Sequence, residues 1–213
     1  MPPFKFEEVS DFDTHIVSSI PTFDQLNYLA ARLTYDFSQE GTHVVDIGCS
    51  TGRFLRSIPK REGITYIGID KTMMPEPTQG IKFLKKDIMA YPLPKCSVII
   101  SLFTAQFLPY HMRDDFFAYV EDALVEGGVF ICAEKMHMEN PAVETVVQAN
   151  LLEWKKQHFT DTEIVDKAIG LKSVMYCQSQ NQLRESLERI GNTDCIWQWG
   201  AFGCFISRKQ TYK

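Results

Sequence analysis

The sequence lacks a long hydrophobic run and a basic leader. The longest mostly apolar stretch, residues 98–108, is interrupted and is shorter than the roughly 20 residues that a membrane-spanning helix needs. The opening segment, MPPFKFEEVSDFD, is acidic, whereas a secretory signal begins basic and then becomes apolar. We therefore expect a soluble, cytoplasmic protein with no membrane partner.

Paired cysteines and an excess of positive charge are also missing. The six cysteines stand singly, with no CxxC pair and no paired histidines, so we predict no metal site and small, buried, reduced thiols. Lys and Arg total 22 against 27 for Asp and Glu, a net charge of −5 that argues against broad electrostatic binding to nucleic acid. The net charge does not exclude a local basic patch.

Hydrophobic periodicity predicts alternating helices and strands. No linker-like segment or internal repeat divides the chain, so we expect one domain over residues 1–213. Helical spacing predicts an N-terminal helix at 22–37. Short β-rich runs, typical of parallel strands covered on both faces, follow at 43–47, 65–69, 81–84, 97–102 and 129–133. This alternation predicts an α/β, doubly wound, nucleotide-binding half over residues 43–135.

Two successive helices without a strand between them are predicted next. Asn140 and Pro141 read as a cap and first-turn proline, and Thr160 with Glu163 has capping-box form. We expect residues 140–175 to be a helical lid over the sheet edge. Residues 179–207 are predicted as a closing helix, ending at Gly191, and a hairpin over 195–207.

The most informative segment is a strand that runs into a glycine turn, VVDIGCSTG at residues 44–52. Gly48 and Gly52 allow the backbone to approach a ligand closely, and Asp46 places a carboxylate on the strand. The GxGxxG pattern of dinucleotide folds is absent, because Ser50 takes the second glycine position and Arg53 takes the third. Pyrophosphate binding is therefore disfavoured.

Two more acidic residues follow strands at fitting positions. Asp70 ends the strand YIGID about 20 residues after the turn, at the spacing used to grip ribose hydroxyls. Asp87 and Ile88 follow the next strand. With the turn, these motifs resemble class I S-adenosylmethionine (SAM) methyltransferases, which implies a Rossmann-like, mostly parallel, seven-stranded sheet. The resemblance places SAM against Asp46, Gly48, Cys49, Ser50, Gly52, Asp70, Lys71, Asp87, Ile88, Leu102 and Phe103.

Segments outside the nucleotide motifs resemble one branch of these enzymes. They are FTAQFLP at 103–109, EGGVFICAEK at 126–135, and Lys167 followed by Ser173-Val174-Met175. Over most of the chain these segments are similar to the carboxy-S-adenosylmethionine synthase family, which makes carboxy-SAM from SAM and prephenate for tRNA wobble-uridine modification. The resemblance implies a small-molecule substrate, and a homodimer whose lid helices meet the neighbouring subunit.

Three positions depart from that family. Its ligand-contacting tyrosine corresponds to Phe23, its fourth-strand asparagine falls near Leu102, and its carboxylate-binding lid arginine falls at Ala168. An arginine fork gives a carboxylate two charge-assisted hydrogen bonds, and alanine gives none. The point charges that could replace it are Lys167, Lys172 and Arg184.

No fixed catalytic motif is visible, so the sequence does not identify the reaction. The candidates are Gln106, His111 and Glu134, with Lys135 and His137 nearby in sequence. The first hypothesis is a SAM-dependent methyltransferase acting on a small molecule or a nucleic-acid modification substrate. The alternatives are a carboxy-SAM synthase with a rebuilt carboxylate site and a non-catalytic SAM-binding protein.

Overall fold

Five apolar runs of the chain form the parallel part of one sheet in a computed structural model, which describes residues 3–210. They are β1 (His43–Ile47), β2 (Thr65–Asp70), β3 (Ile81–Lys85), β4 (Cys96–Leu102) and β5 (Leu124–Lys135). A hairpin of β6 (Gly191–Trp199) and β7 (Phe202–Lys209) completes the sheet, with β7 antiparallel to β5. The order β3-β2-β1-β4-β5-β7-β6 confirms the predicted doubly wound, mostly parallel, seven-stranded sheet.

Helices cover both faces of this sheet. They are α1 (Phe12–Ser19), α2 (Phe23–Phe37), α3 (Arg53–Ser57), α4 (Tyr110–Ala123), α5 (Pro141–Lys155), α6 (Asp161–Lys172) and α7 (Gln180–Glu188). Short 3-10 turns lie at Phe6–Glu8, Ile88–Ala90 and Ala105–Phe107.

Two hydrophobic cores result, because successive side chains of a strand point to opposite faces. Val44 of β1 packs in one cluster with α2 and α3, and its neighbour Val45 packs in the other with α4 and α7. Apolar residues on both faces of β1 and β4 therefore fix these strands in the centre of the sheet.

Helix α1 was not predicted from the sequence. It has eight residues, too few turns for a clear periodic pattern, and its N-terminus is capped by Asp11, which accepts a hydrogen bond from the Thr14 N–H at 3.1 Å. Trp154 of α5 donates its indole N–H to the Ser18 carbonyl at 3.2 Å. The Phe4 N–H donates to the Gly170 carbonyl of α6 at 3.1 Å. The N-terminal segment thus contacts both helices of the predicted lid range.

The closing hairpin extends beyond the predicted range 195–207. Gly191, which was predicted to end a helix, is instead the first residue of β6. A Cβ there would lie 1.9 Å from the Arg208 carbonyl oxygen, so the strand pairing requires glycine at this position.

A buried ion pair joins α4 to β5. Arg113 donates to Glu134 Oε1 at 2.6 Å and to the Ala105 carbonyl at 2.8 Å, and both charged side chains are almost fully buried. Burial raises the pKa of the Glu134 carboxyl, and the Arg113 guanidinium is the main group that opposes this shift.

We predict that Arg113→Ala lowers the free energy of unfolding by about 3–5 kcal/mol, because it leaves the Glu134 carboxyl buried without its cation. Asp114→Ala, on the same helix, removes an exposed pair with Arg189 and should cost less than about 1 kcal/mol. Urea denaturation of both variants checks this prediction. Equal losses in the two variants would contradict it.

Candidate nucleotide and anion site

A cavity of about 600 Å³ lies at the carboxyl ends of β1, β2 and β4. In a parallel sheet these strand ends share one edge, which is where α/β folds bind ligands. The cavity extends from the glycine turn past the N-terminal segment to α5 and α6 of the predicted lid range. All but one of the predicted nucleotide-site residues line it, namely Phe23, Asp46, Gly48, Cys49, Ser50, Asp70, Lys71, Asp87, Ile88, Leu102 and Phe103.

The exception is Gly52, which supports the turn instead of lining the cavity. Its φ is +78°, and a Cβ there would lie 2.7 Å from the Phe83 ring. Gly48 has a φ of +77°, and its missing Cβ leaves room for the Thr104 side chain. Ser50 also has a positive φ, +48°. The tight turn from β1 to α3 therefore exposes backbone to the cavity.

Asp70 is tied to the turn by backbone hydrogen bonds. The Ser50 N–H donates to Oδ2 at 2.9 Å, and the Thr72 and Met73 N–H groups donate to Oδ1 at 2.9 Å each. Because a carboxylate oxygen can accept two hydrogen bonds, Oδ2 keeps a free acceptor position beside the cavity. A ribose hydroxyl is a suitable donor for that position.

Asp46 is the most strongly perturbed carboxyl of the site. Burial, and secondarily the negative charge of Asp70, raise its pKa from 3.8 to about 8. It forms no salt bridge within residues 3–210. A cationic ligand in the cavity would compensate this carboxylate.

Asp87 and Ile88 lie where β3 leads into a 3-10 turn. Asp87 accepts hydrogen bonds from the Met89 N–H at 3.0 Å and from Lys71 Nζ at 2.9 Å. The Lys71 side chain and the Met89 N–H hold the pKa of Asp87 below its usual value. Asp87 is thus ionised and placed beside an apolar neighbour, an arrangement that suits an adenine ring and its amino group.

Three aromatic rings form one wall of the cavity. The Phe103 centroid lies 6.2 Å from that of Phe23 and 5.9 Å from that of Phe202. Phe103 adopts a positive φ of 58°, a strained conformation that directs the chain at the end of β4. Phe202 was not predicted as a site residue, because only the pairing of β7 with β5 brings it here.

The predicted catalytic candidates separate in the structure. Gln106 lines the cavity, and its Oε1 accepts a hydrogen bond from the Lys135 N–H at 2.7 Å. Glu134 lies outside the cavity, because alternation along β5 directs it into the buried pair with Arg113. His111 is exposed on α4, and His137 is exposed beside Glu144; neither lines the cavity.

At the lid end, the cavity is lined by Lys135 of β5, Lys155 of α5 and Lys167 of α6. None of them forms an ion pair with an acidic side chain of the described chain, residues 3–210. Burial, and secondarily the neighbouring lysines, lower the pKa of Lys167 to about 7 and that of Lys155 to about 8. We call these three residues the lysine cluster. Such a cluster attracts anions.

Of the three predicted substitutes for the family's arginine, Lys167 alone lines the cavity. Ala168 is exposed, whereas Lys167, one residue earlier, shares its helix face with Leu171 and enters the cavity. Lys172 is exposed and Arg184 pairs with Glu188, and both lie outside the cavity.

Lys155 was missed at the sequence level. Its only signal is the i, i+4 spacing from Leu151, which is buried.

No helix between residues 3 and 210 is both long and apolar enough to cross a membrane. Over the same described range, no three His, Cys, Asp or Glu side chains come together as possible metal ligands.

Comparison with known proteins defines the class. Residues 28–98 match the family model for FtsJ-like methyltransferases. The fold is similar to the plantazolicin methyltransferase BpumL solved with S-adenosylhomocysteine, with a TM-score of 0.66 at 10% identity over 93% of this chain and 87% of that one. Together with the site, these findings define a class I SAM-dependent transferase with SAM as its cofactor.

Relatives over nearly the whole chain define the family. The carboxy-S-adenosyl-L-methionine synthase of Dichelobacter nodosus is 30% identical over 88% of this chain and 84% of its own length. The enzyme of the same name from Nautilia profundicola is 27% identical over 97% and 94%. The chain belongs to the carboxy-S-adenosyl-L-methionine synthase family.

We predict that SAM binds more tightly as the pH rises from 6 to 8. Asp46 is protonated below its pKa of about 8, and only its ionised form attracts the positive charges of SAM. The dissociation constant should fall by up to about tenfold per pH unit and level off above pH 8. Isothermal titration calorimetry checks this expectation. Asp46→Asn should bind SAM more weakly and lose this dependence, and an unchanged pH dependence in that variant would contradict the prediction.

Proposed function

We propose that the protein makes carboxy-SAM from SAM and a carboxylated co-substrate of the prephenate type. The observation that carries this proposal is the lysine cluster, which lines the same cavity as the nucleotide motifs. Family membership supports the proposal, because the relatives named as carboxy-SAM synthases match nearly the full chain. It also supports an enzyme over the non-catalytic alternative.

The carboxyl groups at the strand ends of the cavity suit SAM. We propose that Asp46 attracts the cationic methionyl part, that Asp70 accepts hydrogen bonds from the ribose hydroxyls, and that Asp87 and Ile88 meet the adenine. Gly48, Cys49, Ser50, Lys71, Leu102, Phe103 and Phe23 would complete this site. When bound, SAM supplies an activated methyl group on a positively charged sulfur.

The basic end suits the carboxylates of the second substrate. Lys135, Lys155 and Lys167 come from three different elements, so their cationic side chains surround the cavity end instead of forming one fork. Lysine gives a carboxylate a point charge with three donors. The cluster thus supplies, with different geometry, the positive charge that Ala168 cannot. Gln106, held by the Lys135 N–H, would orient the substrate between the two ends.

Methyl transfer to an acceptor remains the second candidate function. It is favoured by the departures at Phe23 and Leu102, where the cavity presents apolar groups in place of the family's hydroxyl and amide. Methyl transfer needs mainly an aligned acceptor and exclusion of water, which an aromatic wall provides.

We further propose a cytoplasmic role in tRNA wobble-uridine modification, in which this protein supplies the modified cofactor. The negative net charge fits a small-molecule substrate better than direct binding to tRNA.

A homodimer through the lid helices is part of the proposal. Val143 and Val146 on α5 and Val165 and Ile169 on α6 are between 45% and 60% exposed. They form short apolar stripes at i, i+3 and i, i+4 spacing on neighbouring elements of the lid range. Exposed apolar stripes of this kind are typical of protein interfaces.

We predict that Lys167→Ala lowers kcat/KM for prephenate by about 10- to 100-fold, because one charged hydrogen bond is worth about 1.5–3 kcal/mol. Lys155→Ala should act in the same direction. Lys172→Ala, on the same helix but exposed, is the matched control and should change little. Mass spectrometry of the nucleoside product formed from SAM and prephenate measures the effect. Wild-type protein that forms no carboxy-SAM would contradict the proposed function.

We predict a dimeric mass by light scattering coupled to size-exclusion chromatography. Val146→Glu combined with Ile169→Glu should convert the protein to a monomer, because a buried carboxylate without a partner is costly. Tyr28→Glu introduces the same charge at a 70% exposed position of α2 and should leave the dimer intact. A monomeric wild-type protein would refute the dimer.

A further inference from the structure

Lys167 of the lysine cluster is held by helix α1. Its Nζ lies 2.8 Å from Ser19 Oγ and within hydrogen-bonding distance of His15 Nε2. An ammonium group has three donors. If two are directed to Ser19 and His15, one remains for a ligand in the cavity.

The orientation of His15 is fixed by aromatic packing. Its ring stacks on Phe4 at a centroid distance of 6.1 Å and meets Phe159 edge-on at 5.4 Å. Lys167 Nζ lies 5.5 Å from the Phe4 centroid and 5.8 Å from the Phe159 centroid. The two rings therefore enclose both the imidazole and the lysine head.

His15 is a neutral acceptor in this setting. Burial, and secondarily the positive charges of Lys167 and Lys155, lower its pKa to about 4, while Glu163 of α6 has a weaker opposite effect. A neutral imidazole carries one proton, so a hydrogen bond from Lys167 to Nε2 places that proton on Nδ1.

The opposite end of α1 is attached to the nucleotide turn. The Thr51 hydroxyl donates to Asp13 Oδ1 at 2.6 Å, and the Arg53 guanidinium donates to the Asp13 carbonyl at 3.1 Å. Helix α1 thus contacts both the glycine turn and the lysine cluster.

We propose that His15 and Ser19 are positioning residues that aim the third donor of Lys167 at an anionic group of the second substrate. Helix α1 is therefore a specificity element for that substrate. This inference rests on the proposed function in one respect, because it takes Lys167 as a ligand of the second substrate's carboxylate.

The kinetic test compares His15→Ala and His15→Gln with wild type. His15→Ala should raise the KM for prephenate by about tenfold and leave kcat and the SAM dissociation constant within about twofold. The glutamine side chain offers an acceptor oxygen in place of Nε2, so His15→Gln should keep KM within about threefold. His43→Ala, at the first residue of β1 and outside the cavity, is the matched control. The inference would be overturned if His15→Ala impaired KM, kcat and SAM binding to the same extent. It would also be overturned if His15→Gln raised KM as much as His15→Ala.

A second readout does not depend on turnover. Brief acylation with acetic anhydride, followed by peptide mass spectrometry, reports whether prephenate protects the Lys167 amine. Protection in wild type and His15→Gln, but not in His15→Ala, is expected even if no carboxy-SAM forms; that combination would refute the proposed reaction and support the positioning role. Carboxy-SAM synthesis with unchanged KM and unchanged protection in His15→Ala would support the reaction and refute the positioning role.

Discussion

The parallel pairing of β1 with β2 brings two carboxylates to one buried edge, and the rest of the site depends on that constraint. Asp46 is the next-to-last residue of β1 and Asp70 is the last residue of β2, and the charge of Asp70 adds to the burial that raises the pKa of Asp46. Neither carboxyl forms a salt bridge within residues 3–210, and two close carboxylates are unfavourable to ionise together. A positively charged ligand would relieve this repulsion. The fold therefore favours binding of a cation in the part of the cavity beside the glycine turn.

The order of the elements along the chain also explains the lysine cluster at the opposite end of the cavity. Lys135, Lys155 and Lys167 belong to three successive elements, β5, α5 and α6, and all three line the same end of the cavity. The cavity therefore has the carboxyl groups of Asp46, Asp70 and Asp87 at the ends of β1, β2 and β3, and the lysine cluster at its opposite end. In the proposed reaction, this separation of groups would orient a cationic cofactor and an anionic second substrate with respect to each other.

Some local motifs placed their residues at the cavity without knowledge of the tertiary structure. The glycine turn, Asp70 and Asp87 follow apolar strands, and each has chemistry that depends on short-range spacing. Helix α1 could not be found in this way, since eight residues give few helical repeats. Glu134 was a catalytic candidate by its strand-end position, yet strand alternation and Arg113 direct it into the core. Phe202 required knowledge of the antiparallel hairpin.

The sequence by itself determined the doubly wound order of elements and the position of the glycine turn, because both follow from hydrophobic periodicity and glycine placement within short segments. Tertiary structure alone decided which charged residues reach the cavity. Lys167 and Ala168 are adjacent in sequence, but a helix rotates about 100° per residue, so one lines the cavity and the other faces out. The packing of α1 then decided what holds Lys167, because contacts between residues some 150 positions apart leave no mark in local sequence patterns.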